Sequence, residues 1–140
     1  MDMVTFLHEA HSGWRYIVLA LLIIVIVKFL IGWLNKANWS ALDQRLGMAT
    51  PIAIDIQVLL GIVLLAVNPK SMLVGRSGGV VSVWEHLVTM ILALGAAHAF
   101  WSRVKKSGSD ADKFRNGAIG FIVAGLLVAI GVARITGYMG

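Results

Sequence analysis

Apolar residues run through this chain in four long blocks, and short polar stretches that hold most of the charges separate them. The first block, residues 13–34, carries only two charged side chains, Arg15 and Lys28. A helix needs about 20 mainly apolar residues to cross a hydrocarbon core of about 30 Å. Each block is long enough, so the pattern predicts four membrane spans. We place these spans at about residues 13–34, 48–67, 80–101 and 115–136.

Short connections between the blocks predict how the spans pack. They favour an all-α, four-helix, up-down-up-down transmembrane bundle that forms one integral-membrane domain over residues 1–140. The half-polar residues 1–12 predict a short interfacial helix that runs into the first span. Ser40 is a candidate helix N-cap, and Pro51 suits the first turn of the second span.

The distribution of lysine and arginine predicts the topology. Loops 35–47 and 102–115 together hold seven basic residues, whereas the loop on the other side holds two, Lys70 and Arg76. Cytoplasmic loops carry the excess of positive charge in membrane proteins. We therefore expect the two basic loops in the cytoplasm and both termini on the outer side.

Composition narrows the chemistry further. Hydrophobic residues make up 59% of the chain, so we expect the lipid bilayer as its surroundings. The net charge of +5 lies in short loops beside the spans, which favours a topology signal and not nucleic-acid binding. The chain has no cysteine, which excludes disulfides, iron–sulfur clusters and covalently attached c-type haem.

Two histidines carry the main functional hypothesis. His11 and His86 begin the first and third spans, which run in the same direction, so both should lie at the same depth. Facing imidazoles at one depth can clamp haem b as its axial ligands. Met90, Ala93 and Ala97 follow His86 along one helical face and would leave room for a macrocycle. The alternative is a pair of interfacial histidines bonded to water or backbone.

Several nearby residues are further candidates for the same site. His8 is the reserve ligand for His11, and Met90 is either a thioether ligand or core packing. Arg15 and Arg134 lie near the outer ends of their spans, where they would pair with haem propionates because arginine prefers carboxylates.

The polar residues deeper in the spans allow other interpretations. His98 lies twelve residues after His86, about 18 Å along the helix and rotated by about 120°. It is a possible second site, but a lone structural histidine is the favoured interpretation. Lys28 and Asp55 both lie in the cytoplasmic half, and we predict that they form an ion pair. Together with His98 and Gln57 they would alternatively form a proton or quinol route.

Two segments of the chain resemble a known group of proteins. FLHEAHSGWRYIVL and WEHLVTMILALGAAHAFWSRVKK are similar to small bacterial four-span membrane proteins labelled cytochrome b-like. The similarity rests on His11 followed by Ser-Gly-Trp-Arg, and on Glu85-His86 with Met90 and then His98. This resemblance implies a haem protein of electron transport in the bacterial inner membrane.

Three functions follow as hypotheses. The first is a haem b-binding protein or subunit that transfers electrons in a respiratory or photosynthetic chain, a carrier more than a self-contained enzyme. The second is a cofactor-free structural subunit of a larger membrane complex. The third is a small proton or ion transport module that uses Lys28, Asp55 and His98. Expected partners are other membrane subunits or a second copy of the chain, and quinone.

Overall fold

The computed structural model describes residues 2–68 and 80–136, with side chains described for residues 2–68 and 83–133. Within these residues the chain is helical throughout, with short connections. In order, the four helices are α1 (Met3–Leu34), α2 (Ala41–Val67), α3 (Val80–Lys106) and α4 (Asp110–Thr136). Each is long and apolar enough to cross a membrane. The predicted all-α, four-helix fold is confirmed, and the length and composition of the helices make it a multi-pass membrane protein.

The helices extend beyond the apolar blocks because polar caps set their ends. α1 begins at Met3, where the Asp2 side chain accepts a hydrogen bond from the Thr5 backbone N–H at 2.7 Å. α2 begins after Ser40, the predicted N-cap, in a reciprocal capping box with Asp43. This early start puts Pro51 well inside α2, so its predicted place in the first turn is wrong.

The helices form a ring in which each packs against its two neighbours. α1 contacts α2 and α4, and α3 contacts α4 and α2, which leaves α1 and α3 diagonally opposed. Because α1 and α3 run in the same direction, their N-terminal parts share one end of the bundle. We call this the histidine end, since it carries His11 and His86. The opposite end, which carries Phe29, Trp39, Trp101 and Phe114, is the aromatic end.

The core is apolar and continuous from one end to the other. On α3, Met90, Ala93 and Ala97 are buried, which confirms the predicted inward face. On α1, Phe29 is fully buried and its ring lies 5.1 Å from that of Trp39 and 5.9 Å from that of Phe114. Large apolar side chains cover the outer surface, as expected for helices that face lipid.

Glycines let the helices approach closely where large rings cross. A Cβ atom on Gly47 would lie 2.2 Å from the Trp101 ring, and one on Gly117 would lie 2.6 Å from the Phe29 ring. On α4, a Cβ atom on Gly120 would lie 2.1 Å from Phe100, one turn before the buried Ala124. The small residues of α4 therefore serve helix packing here.

Candidate functional site

The rings of His11 and His86 meet across the bundle at the histidine end. Their centroids are 6.2 Å apart, and the ring planes are nearly perpendicular, at 86°. Since α1 and α3 are diagonal neighbours, the two rings reach toward each other through the interior of the ring of helices. Both residues are half-buried. The structure thus brings together the two histidines that the sequence singles out.

A backbone carbonyl orients the His86 ring. Nδ1 of His86 lies 3.0 Å from the carbonyl oxygen of Gly131 on α4. A carbonyl oxygen only accepts hydrogen bonds, so Nδ1 of His86 is the donor, and the neutral ring that fits this contact is the tautomer with its proton on Nδ1. This tautomer leaves the lone pair of Nε2 free to bind a metal. Metal-binding histidines commonly have such a second hydrogen bond to a carbonyl group.

The surroundings of His11 contain two polar atoms without partners. The Gln57 side chain on α2 donates from Nε2 to the backbone oxygen of His11 at 2.8 Å. Among the described residues, Nδ1 of His11 and Oε1 of Gln57 are buried and have no hydrogen bond. Gln57 itself is only 5% exposed. A buried polar atom without a hydrogen bond lowers the stability of the fold. These two atoms therefore mark a place where the bundle keeps polar groups that packing alone does not explain.

Glycines also line this end of the bundle. A Cβ atom on Gly61 of α2 would lie 3.0 Å from Cε1 of His11. A Cβ atom on Gly131 would lie 3.2 Å from Sδ of Met90 and 3.7 Å from Nδ1 of His86. Each imidazole therefore lies against a residue without a side chain. Sequence inspection missed Gln57 and Gly61 as parts of this site, because only the packing of α2 on α1 shows that they face His11.

The remaining candidates lie around the histidine pair. Met90 is 5% exposed and belongs to the core one turn beyond His86. The Arg15 guanidinium donates to the Tyr16 hydroxyl at 3.2 Å and lies 4.9 Å from the centre of that ring. His8 is exposed on the first turns of α1. The Arg134 side chain lies outside the described residues, as do Lys70 and Arg76.

The predicted ion pair between Lys28 and Asp55 is wrong. Lys28 instead binds Asp43, whose carboxylate also accepts the Ser40 N–H at 2.9 Å and the Ser40 hydroxyl at 2.8 Å. Asp55 binds His98, with 2.7 Å between Oδ1 and Nε2. Position along the chain predicts that Lys28 and Asp55 share one half of the membrane. It does not show that Asp55 turns toward α3 and that the start of α2 supplies a nearer carboxylate.

An open groove of about 650 Å³ lies beside Lys28 and Asp43 at the aromatic end. Its walls combine exposed apolar residues of α1 and Phe114 of α4 with the polar residues Asn38 and Ser40. Lys28 lies seventeen residues after His11, about 25 Å along α1. The groove is therefore separate from the histidine pair.

The side chains available as metal ligands at the histidine end limit the kind of metal group that could bind there. No cluster of three or more histidine, aspartate or glutamate side chains able to hold a metal ion occurs in the described part of the chain. A bare zinc ion requires about four protein ligands in a structural site and three in a catalytic one. A haem iron already has its four porphyrin nitrogens and takes one or two side-chain ligands. Two opposed imidazoles thus fit a haem better than a bare ion.

Comparisons with protein-family models, with curated proteins and with solved structures find no match to this chain.

Proposed function

We propose that this protein binds one haem b between His11 and His86 and transfers electrons within the membrane. The distance between the two rings carries the proposal. An imidazole nitrogen bound to a metal lies about 2 Å from it, so two opposing ligand nitrogens are about 4 Å apart and their ring centroids about 6 Å apart. The centroids of His11 and His86 are 6.2 Å apart. At this separation His11 and His86 would be able to hold a haem iron between them.

The protein's own residues would prepare each ligand. The Gly131 carbonyl holds the proton of His86 on Nδ1, so Nε2 is the ligand atom. Because the Gln57 side chain already binds the backbone oxygen of His11, its Oε1 would serve as the acceptor that Nδ1 of His11 lacks. Both histidines would then present Nε2. Gly61 and Gly131 keep the space beside each ring free of side chains.

The haem would supply one-electron chemistry, and the bundle would set its environment. The apolar core around Met90 and Ala93 keeps water away from the site, and burial is one of the means by which proteins tune haem potentials. Arg15 and Arg134 are the proposed propionate partners at this end, and Met90 and His8 are the reserve ligands. The connections within the described residues, 35–40 and 107–109, are too short for a substrate-binding domain, so we propose larger membrane subunits as electron partners.

The transport alternative receives less support from the contacts. Lys28 and His98 belong to two separate ion pairs, one with Asp43 and one with Asp55. None of the hydrogen bonds in the described residues joins these pairs into one route. The bacterial inner membrane is the proposed location, on the strength of the family resemblance.

The direct test is the haem content of the purified protein. The full chain is isolated in detergent from membranes of cells supplied with a haem precursor. Its absorption spectrum is recorded, and the pyridine haemochrome is measured against protein concentration. We expect a Soret band and one haem b per chain. Protein that is folded, by circular dichroism, yet holds no haem after addition of hemin would overturn the proposal and leave the cofactor-free subunit.

A further inference from the structure

We infer that the outer face of α2 and α3 around Asp55 and His98 is the contact surface for a second copy of this chain in the membrane. The observation behind this inference is the exposure of the ion pair. The two side chains bind each other at 2.7 Å, yet His98 is 49% and Asp55 42% exposed on the outside of the bundle. The inference does not depend on haem binding.

This exposure is unusual because both residues lie within helices that span the membrane. Exposed apolar side chains lie on the same helix faces as the pair, among them Leu59 of α2 and Ile91 of α3, which are 61% and 47% exposed. Ionisable residues within membrane helices almost always face the bundle interior or a water-filled cavity, because a charge in hydrocarbon is costly. The polar side chain of Gln57 follows this rule and is buried. Asp55 and His98 break it, so the isolated chain leaves uncovered a pair that a membrane partner would shield.

The surface beside His98 also permits close approach of another helix. Gly95 and Ala99 lie on the exposed side of α3, four residues apart, which is the small-xxx-small spacing of membrane helix contacts. A Cβ atom on Gly95 would meet nothing within 4 Å. By contrast, a Cβ atom on Gly120 of α4 would lie 2.1 Å from Phe100. The bundle uses Gly120 for its own packing and leaves Gly95 open.

A second copy is the partner that the charges fit best. Two copies with the same membrane topology are related by a two-fold axis along the membrane normal, so identical residues lie at the same depth. An axis that passes beside the pair would bring Asp55 of each copy opposite His98 of the other. Each copy therefore brings one donor and one acceptor to a closed group of four side chains. A different protein would need its own polar pair at the same depth.

Single-cysteine cross-linking tests the inference, because the native chain contains no cysteine. Ala99→Cys places a thiol on the proposed surface. Ile24→Cys is the matched control on α1, the helix diagonal to α3, where Ile24 is 50% exposed to the surroundings. After mild oxidation in native membranes, we expect Ala99→Cys to form disulfide-linked dimers and Ile24→Cys to remain monomeric. Cross-linking at Ile24→Cys alone, at neither position, or of Ala99→Cys only to a protein of different mass would overturn the inference.

A second variant isolates the contribution of the polar pair. Replacing both partners, Asp55→Leu with His98→Leu, leaves no unpaired charge and keeps the surface apolar. Interhelical hydrogen bonds contribute modestly to helix association in membranes, so we expect dimerisation about tenfold weaker for the double variant. Energy transfer between labelled copies at varied protein-to-lipid ratio measures this. Dimerisation equal to that of the native chain would contradict the proposed role of the pair.

Discussion

The two ends of this bundle are built in different ways. At the aromatic end, the Trp39 ring packs 5.1 Å from Phe29 and 5.0 Å from Phe114, and its backbone N–H donates to Asp110 at 3.0 Å. At the histidine end, two imidazoles face each other at 6.2 Å. There, two buried polar atoms lack partners within the described residues. Within the described residues, the buried carboxylate of Asp43 at the aromatic end is bonded, whereas two buried polar atoms at the histidine end are not.

On the proposed function, this difference separates a structural end of the bundle from the end that would bind haem. Asp43 at the aromatic end is 1% exposed and accepts bonds from Lys28 and Ser40, so it ties α1 to the start of α2. Buried polar groups that are fully bonded fix one arrangement of the helices. Sites that bind ligands often keep strain or unmet hydrogen bonds that the ligand or its network resolves. We therefore expect substitutions at the two ends to affect different measurements.

The largest expected effect is at the histidine end. His86→Ala removes a proposed axial ligand and should abolish the haem spectrum, while the helical content of the detergent-solubilised protein stays unchanged. The matched control is His98→Ala, which removes a histidine of the same helix outside the proposed site and should retain most of the spectrum. Absorption spectra at equal protein concentration compare the two. Equal loss in both variants would argue against a specific role for His86.

The next effect should appear at the aromatic end. Asp43→Ala removes the capping partner of Ser40 and leaves Lys28 unpaired, which should lower the free energy of unfolding by about 2–3 kcal/mol. The value falls below that of a fully buried pair because the Lys28 side chain is 34% exposed. Unfolding in mixed micelles measures it, and the folded fraction should keep its haem.

The control for Asp43 is another carboxylate near the same end. Asp112 lies 3.3 Å from Arg115 in an exposed pair, so Asp112→Ala should cost about 0.5 kcal/mol. A similar loss of stability in the two variants would show that Asp43 does not hold the aromatic end together.

The smallest effect distinguishes a positioning residue from a ligand. Gln57→Leu should weaken haem binding by about tenfold to a hundredfold without abolishing it, as expected when the outer hydrogen-bond partner of a ligand is lost. Hemin titration of the apoprotein measures the affinity, and the midpoint potential should shift as well. Thr50→Val, a buried substitution on the same helix whose hydroxyl bonds the Leu46 carbonyl, should change neither value. If Gln57→Leu leaves the haem affinity and the midpoint potential unchanged, Gln57 serves only helix packing and does not position His11.

The sequence predicts much of this fold because lipid imposes simple rules. Each of the four apolar blocks is long enough to cross the membrane as a helix. The short connections between them make helices that are consecutive in sequence pack against each other. The blocks do not show where helices end, because Asp2 and Ser40 extend α1 and α2 beyond the apolar residues through side-chain caps. Caps depend on single polar atoms and not on hydrophobic periodicity.

The site could be predicted only in part, for a related reason. The position of a residue within its span predicts its depth in the membrane. This is why the sequence predicts that His11 and His86, near the starts of two parallel spans, lie close together. The face that each residue presents depends on helix rotation, which the chain does not state. The predicted Lys28–Asp55 pair is wrong on that point. Gln57 is predicted to join a route with His98 and not to contact His11, because the sequence does not show which face of α2 packs on α1.

The most direct measurement of the central claim is electron paramagnetic resonance of the oxidised native protein with its haem bound. Two axial imidazoles predict a low-spin ferric signal, and His11→Ala or His86→Ala should convert it to a high-spin signal or remove it. His8→Ala and Met90→Leu, which alter the two reserve ligands, should leave it unchanged. A native protein without a low-spin signal, or one whose low-spin signal survives both histidine substitutions, would contradict haem binding between His11 and His86.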